Sequence, residues 1–422
     1  MDKPIIRSIK GVKDILPGDM AKWEAIEEAA RRLAKVYGFA EIRVPLFEAT
    51  ELFARSIGGS TDIVEKEMYT FPDRDGKLLT LRPEATAGVV RAYVEHNLAA
   101  SSSSQKYFYL GPMFRHERPQ AGRLRQFHQF GVESFGTASP QADVEVIDLL
   151  WHFLTSLKLP GLTLEVNSLG DATDRAAYRA VLADYLKLHA DRLCENCRRR
   201  MTTNPLRVLD CKVPGCVAAL GNAPSIGDYL APASRQHFDE VLLGLRARTI
   251  PYVVNPRLVR GLDYYTLTTF EVSCLHLGAQ NAVGAGGRYD GLVETLGGPS
   301  TPAVGFATGL ERIALLLPDS ALAPPRCPVF LAAFGTKGIE VGYHLLDQLR
   351  KLGIPADTDY RATTLKRLLS QADRVGSSYV IILGDDEASN EHVLLRNMQT
   401  KEQETIPQRQ IVQTLVTRLK SS

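Results

Sequence analysis

Long apolar runs are missing from this 422-residue sequence; none approaches the roughly eighteen residues of a membrane span. No membrane-crossing helix is therefore expected. The first eleven residues also lack a charged leader ahead of an apolar stretch. That pattern predicts no secretion signal, a cytoplasmic setting and reduced cysteines. An excess of either charge is absent as well: 50 Lys and Arg face 48 Asp and Glu, for a net +2. A nucleic-acid partner is neither demanded nor forbidden by that balance, and any such contact has to come from a local basic surface. No internal repeat is visible, and no Ser-His-Asp or metal-hydrolase constellation appears.

What is present is an ordinary globular mixture, 45% hydrophobic and 23% charged, long enough for two domains or more. Trp23, Ile26, Leu33 and Val36 recur at helical spacing after Asp19, a candidate cap, and Gly38 ends the helix. Residues 39–44 read as a strand ending at Pro45. Leu78 to Leu81 reads as a short strand leading into Arg82-Pro83-Glu84, and Pro83 with Thr86 opens a helix. Residues 107–114 and 126–134 predict two strands joined by a long polar hairpin loop. Further strands are expected at 162–167, 252–254, 268–273 and 303–307, with Gly284 to Gly287 as a glycine-rich turn. A helix from Gly309 stops before Pro318. From about residue 171 to 250 the chain turns helical and charged, which reads as an insertion. Residues 318–328, rich in proline, predict a linker. Strand and helix then alternate to the end, indicating a small α/β domain. The expected division is 1–325 and 326–422.

Five segments carry chemistry. Arg115, Arg118, Arg123 and Arg125 fall within eleven residues of the hairpin loop. Guanidinium groups grip phosphates through paired hydrogen bonds and keep their charge; a solvated charged turn is the plain alternative. Glu84 and Thr86 can both face a ligand ammonium, or can simply cap a helix. Arg260-Gly261-Leu262-Asp263-Tyr264-Tyr265 is either packing plus a surface ion or the wall of a polar aromatic pocket. Gly284 to Gly291 would let a ligand approach the backbone, but it fails the dinucleotide spacing. Arg312 falls in the first turn of a helix, where a cation is unhelpful unless it holds an anion. His116 and His128 flank the arginine loop as further candidate contacts.

Of six cysteines, four lie within 23 residues. Cys194-x₂-Cys197, thirteen residues, then Cys211-x₄-Cys216 could bind zinc as four thiolates. Reduced, unliganded thiols in a helical insertion are the other reading, and the spacing leaves both open.

Together the five segments resemble the class II aminoacyl-tRNA synthetases, specifically the histidyl-tRNA synthetase family. The Arg115 hairpin resembles the class's second motif, Gly309 to Arg312 its third, and the first helix and strand with Pro45 its first. Arg260 to Tyr265 resembles the histidine-specific signature. Leu81-Arg82-Pro83-Glu84 and Gly11-Val12-Lys13-Asp14 fit the same family, and the match spans essentially the whole chain. Ala85 departs from it, since glycine is common there; the added methyl matters only if that backbone must be left-handed.

The resemblance implies an α+β fold: an antiparallel catalytic sheet with flanking helices, the helical insertion, and a C-terminal α/β domain for the anticodon stem. It implies a homodimer that uses ATP with Mg²⁺, L-histidine and the histidine tRNA. Arg115 would bind the α-phosphate, Arg312 the γ-phosphate of a bent ATP, and Arg260 the α-phosphate from the opposite side. Glu84 and Thr86 would hold the histidine ammonium with Gln129 nearby. Glu133 and Tyr264 would bond the imidazole, with Tyr265 lining the site. Arg123 and Arg125 would touch ATP or the acceptor stem. Two other readings compete. One is a regulatory relative from histidine biosynthesis, which usually lacks the Arg260 signature and the last domain; the other is a class II synthetase for a different amino acid.

Overall fold

The computed structural model describes residues 5–420 apart from 59–60, 62, 101, 103, 279–280, 319–326 and 362–363. Most of the expected proline-rich linker thus lies outside the described residues. The chain forms two compact units, Met1–Asp319 and Ser320–Ser422.

The first unit opens with helix α1 (Pro17–Val36), whose Trp23, Ile26, Ala30 and Leu33 form one buried stripe. Asp19 does not cap it: Leu16 holds the cap position, and Asp19 lies in the first turn, where its charge still suits the helix dipole. Strand β1 is only Ala40–Glu41, followed by β2 (Phe47–Ala49), α2 (Thr50–Ile57), β3 (Tyr69–Pro72) and β4 (Leu78–Leu81). Strands β2, β4 and β3 make a small antiparallel sheet. Helix α3 (Thr86–Glu95) precedes the long hairpin β5 (Gln105–Phe114) and β6 (Gln126–Phe135). Next come α4 (Pro140–Ser156), β7 (Leu162–Ser168) and helices α5 (Ala172–Leu188), α6 (Glu195–Thr203), α7 (Pro214–Ala219) and α8 (Pro232–Ala247). The unit closes with β8 (Val253–Val254), β9 (Thr266–Cys274), β10 (Ala282–Arg288), α9 (Leu292–Thr295), β11 (Ala303–Gly309) and α10 (Leu310–Leu316).

Eight strands join in the order β1-β5-β6-β11-β10-β9-β7-β8. Every pairing is antiparallel except the two short edge pairs, β1 with β5 and β7 with β8. Side chains alternate across such a sheet. Phe108, Phe130, Val132, Phe270, Val304 and Phe306 therefore pack against α1, α4, α8 and α10 in the main core. Their neighbours Tyr109, Glu133, Phe135 and Ala303 point to the opposite face, where α3 covers part of the sheet.

Gly284 to Gly287 is not a turn: it lies inside β10. A Cβ at Gly286 would run into Gly305 O and Phe270, so the glycines mark close strand packing, not a reversal. The insertion also divides. Helices α5 to α7 build a core of their own around Tyr178, Leu182, Cys197, Val208 and Cys216, while α8 sends Phe238, Val241 and Leu245 into the main core.

The second unit holds β12 (Val329–Ala333), α11 (Thr336–Lys351), β13 (Ala356–Asp357), α12 (Leu365–Arg374), β14 (Tyr379–Leu383), α13 (Asp385–Ser389), β15 (His392–Asn397), β16 (Gln403–Pro407) and α14 (Gln408–Lys420). Its five strands run β13-β12-β14-β15-β16, parallel on one side and antiparallel on the other, with apolar clusters on both faces. Strand β16 and helix α13 carry no period in the sequence; only Ile406 of β16 is buried.

Candidate functional site

The open face of the large sheet holds a cavity of about 280 Å³. Residues from five stretches line it: Glu84 and Thr86 at the start of α3; Arg115 and Arg123 on the hairpin; Gln129 and Glu133 on β6; Arg260, Tyr264 and Tyr265 before β9; and Arg312 on α10. Bare backbone at Gly284, Gly305 and Gly309 supplies the floor. Register explains part of it. Tyr109 stands opposite Gly131, and Glu133 opposite Gly305. A Cβ at either glycine would collide with the large side chain across from it.

One end of the cavity is cationic. Arg115 Nε donates to Pro83 O at 2.8 Å, and its guanidinium lies over Phe127, 5.3 Å from the ring centre. Arg312 occupies the third position of α10 and donates to Gly122 O at 3.3 Å and to Ala282 O. Arg260 Nη1 meets Glu271 Oε2 at 2.9 Å and its guanidinium lies over Tyr265. Arg123 pairs with Glu117. Burial lowers the proton affinity of Arg115, and Arg260 nearby adds to that; burial likewise lowers that of Arg312, with Arg123 and Arg115 adding. For Arg260 burial acts the same way, but Tyr265 and Glu271 outweigh it and the net shift is upward. Guanidiniums stay charged throughout. Four cations in one partly dry cavity repel one another and favour a polyanion.

The other end is acidic and aromatic. Glu84 caps α3, accepting from Thr86 N at 2.6 Å and Ala87 N at 3.0 Å. Capping and site formation are thus one arrangement, because the same residues line the cavity. Thr86 Oγ1 donates to Glu133 Oε1 at 2.6 Å, and Tyr289 donates to Glu133 Oε2. Burial raises the Glu84 carboxyl above its usual range. Burial raises Glu133 to about 8 against the opposing hydrogen bonds from Thr86 and Tyr289, and the like charge of Glu84 adds to the rise. Gln129 Oε1 and Arg260 Nε are buried without a hydrogen-bond partner, which is where a ligand would supply one. Ala85 has φ −107°, outside the left-handed region, so its methyl is accommodated without strain.

Arg125 does not line this cavity: its side chain packs under Gly11 and its amide donates to Gly11 O at 2.7 Å. Neither flanking histidine lines it. His116 faces Tyr69, while His128 pairs with Glu311 at 3.0 Å and sits edge-on to Trp23 in a separate pocket beside α1. Among the lining residues that escape a sequence reading are Tyr109, Glu117, Phe127, Glu271 and Tyr289. Period-2 alternation on β9 could have exposed Glu271. Tyr289 was hidden because the strand before it looked like a turn.

The four clustered cysteines also come together. Their sulfurs all lie within 4.8 Å of one another in the core of α5 to α7, and all are free thiols.

The family model for histidyl-tRNA synthetase matches residues 11–313, and that for an anticodon binding domain matches residues 329–418. The histidine–tRNA ligase of Desulfatibacillum aliphaticivorans is 52% identical over 405 residues, covering 95% of this chain and 96% of that protein. That of Syntrophotalea carbinolica is 48% identical over 411 residues, covering 97% and 98%. The crystal structure of apo histidyl-tRNA synthetase from S. aureus superposes with a TM-score of 0.82 at 37% identity, covering 97% of this chain and 99% of that one. With a family model over most of its length and relatives near half identity, the chain belongs to the histidyl-tRNA synthetase family.

Proposed function

We propose that this chain is an ATP-dependent ligase that activates L-histidine as the adenylate and passes it to the terminal adenosine of its tRNA. One observation carries the reading: Arg115, Arg260 and Arg312, far apart in sequence, share a cavity with two buried carboxylates.

In the first step the histidine carboxylate attacks the α-phosphorus of ATP and pyrophosphate leaves. Arg115 and Arg260 hold the α-phosphate from two sides as negative charge builds on it, and Arg312 holds the γ-phosphate of a bent ATP. This reaction needs fixed positive charge already in position, and guanidiniums supply it without reorganising. Mg²⁺ bound with the ATP would supply further charge neutralisation beside these arginines. Glu84, Thr86 and Gln129 hold the ammonium. Glu133 and Tyr264 pair the imidazole nitrogens, Tyr265 lines the pocket, and Tyr289 fixes the Glu133 carboxyl. A pocket that pairs both ring nitrogens rejects apolar isosteres, because its own groups would otherwise be left unpaired. In the second step the terminal adenosine displaces AMP, with Arg123 beside the nucleotide and Arg125 outside the cavity toward the acceptor stem.

The domain reading is residues 1–325 for catalysis, with an insertion at about 171–250, and 326–422 for the anticodon stem. We place the protein in the cytoplasm as a homodimer. The small sheet exposes Phe47, Phe71 and Leu78, and Leu46 just before it is exposed as well, an apolar surface that suits self-association. A Zn²⁺ on the four cysteines would be structural and would not touch the substrates.

ATP–pyrophosphate exchange with each amino acid in turn is the test. Exchange with histidine alone is the expected outcome; exchange with another amino acid, or with none, overturns the reading.

A further inference from the structure

The cysteine cluster and the cavity are built from the same stretch of chain. Cys194 caps α6 and Cys197 lies in its first turn; Cys211 follows the short 3₁₀ turn Pro205–Val208, and Cys216 lies in α7. The sulfurs of Cys194 and Cys211 are 4.0 Å apart. Thiolates around a tetrahedral Zn²⁺, with bonds near 2.3 Å, stand about 3.8 Å apart. Cys194 N also donates to Cys216 Sγ at 3.1 Å, a bond that favours a negatively charged sulfur. A tetrathiolate carrying zinc has a net charge near −2. Four buried or half-buried thiols with no disulfide among them are otherwise hard to explain as packing alone.

The cluster closes a loop from Cys197 to Cys211, and the middle of that loop touches the cavity wall. Asn204, itself buried, donates from Nδ2 to Asp263 Oδ1 at 2.9 Å. Arg207 Nη1 donates to Arg260 O at 3.2 Å. Tyr265 packs in the same apolar cluster as Cys197, Val208 and Cys216, and Arg175 of α5 donates to Tyr265 O. Much of the support for the Arg260 to Tyr265 segment thus comes from the loop between the cysteines and its core, the rest from α2, where Asp263 N donates to Ile57 O at 3.2 Å and Leu262 packs.

We infer that the four cysteines hold a Zn²⁺ as a tetrathiolate, and that this ion fixes the Asn204–Arg207 turn that positions Arg260 over the nucleotide. Asn204 and Arg207 are then positioning residues that act through Arg260. The second half of the inference rests on the proposed role of Arg260; the first half does not.

The test begins with protein purified without chelator or metal-affinity resin. Elemental mass spectrometry is expected to find close to one zinc per chain, and cobalt exchange to give the thiolate charge-transfer and tetrahedral ligand-field bands. Cys211→Ser should lose both. No zinc together with no cobalt spectrum overturns the site. For positioning, Arg207→Ala is expected to keep its zinc while kcat for histidine-dependent exchange falls about tenfold and the KM for histidine barely moves. Zinc-stripped protein should show the same split and recover on zinc addition, whereas Arg207→Ala should not respond. Native kcat in both Arg207→Ala and the stripped protein overturns the positioning role. If fully loaded wild-type protein gives no exchange with histidine, the functional reading fails and the positioning half with it, while the metal count stands on its own.

Discussion

The two ends of the cavity hold charge in opposite ways. At the arginine end the charge is fixed: burial shifts Arg115 and Arg312 downward, yet no accessible pH discharges a guanidinium. At the other end the charge is adjustable, because burial has moved the Glu133 carboxyl to about 8 and raised Glu84 as well. Under the proposed function, the difference follows the task. A phosphoryl centre gaining negative charge is served by cations that never titrate. An imidazole and an ammonium are served by carboxyls whose ionisation can follow the ligand's.

Replacing a fixed charge by a titratable one breaks this contrast most severely. Arg260→His should lower kcat for pyrophosphate exchange by about 10²–10³-fold, with histidine affinity by calorimetry changed only a few-fold. Its residual rate should rise as pH falls below about 6.5, where the new imidazole gains a proton. A flat pH profile for this variant would show that charge at this position is not what matters.

At the adjustable end the expected loss is smaller and falls on binding. Glu133→Gln keeps the shape and leaves Thr86 and Tyr289 with a partner, but removes the ionisable group. The KM for histidine should rise about 10–100-fold, more than kcat falls. Equal loss in kcat with KM unmoved would place Glu133 in the chemical step instead.

The smallest effect sharpens the comparison in the unliganded protein. A folded-state carboxyl raised to about 8 favours the protonated form, so its contribution to stability is complete below the ordinary value near 4.5. That contribution is lost as pH climbs through about 8. The melting temperature of the wild type should therefore fall, relative to Glu133→Gln, by a few degrees between about pH 5 and about pH 8.5. A constant difference across that range would mean that Glu133 is ionised in the folded protein throughout.

How much of this was legible in the sequence depended on whether the reason for a residue was local. The hairpin β5–β6 was readable because its alternation is written in consecutive residues. Helix α3 was readable too, since Glu84 sits just before the first turn and accepts from its Thr86 and Ala87 amides. Strand β10 was not. Its glycines answer to Gly305, Phe270 and Leu150, partners distant along the chain, and a glycine run read by itself means a turn. Tyr289 was lost with it. Arg125 was assigned to ATP or the acceptor stem by its company in the loop; the fold turns it toward Gly11 and out of the cavity. Glu271 looked like any polar strand residue until Arg260 was found beside it. The family resemblance supplied long-range pairings that spacing could not.

The floor of the cavity has one practical consequence. Where Gly305 faces Glu133, a small molecule pressed against the sheet would meet that carboxylate and the peptide groups of the strand. Mutation cannot change a peptide group, and any side chain introduced at 305 would strike Glu133 and Val132 O before it reached the drug. Resistance to an inhibitor anchored there would have to arise from the walls, where each substitution also damages the enzyme's own hold on its substrates.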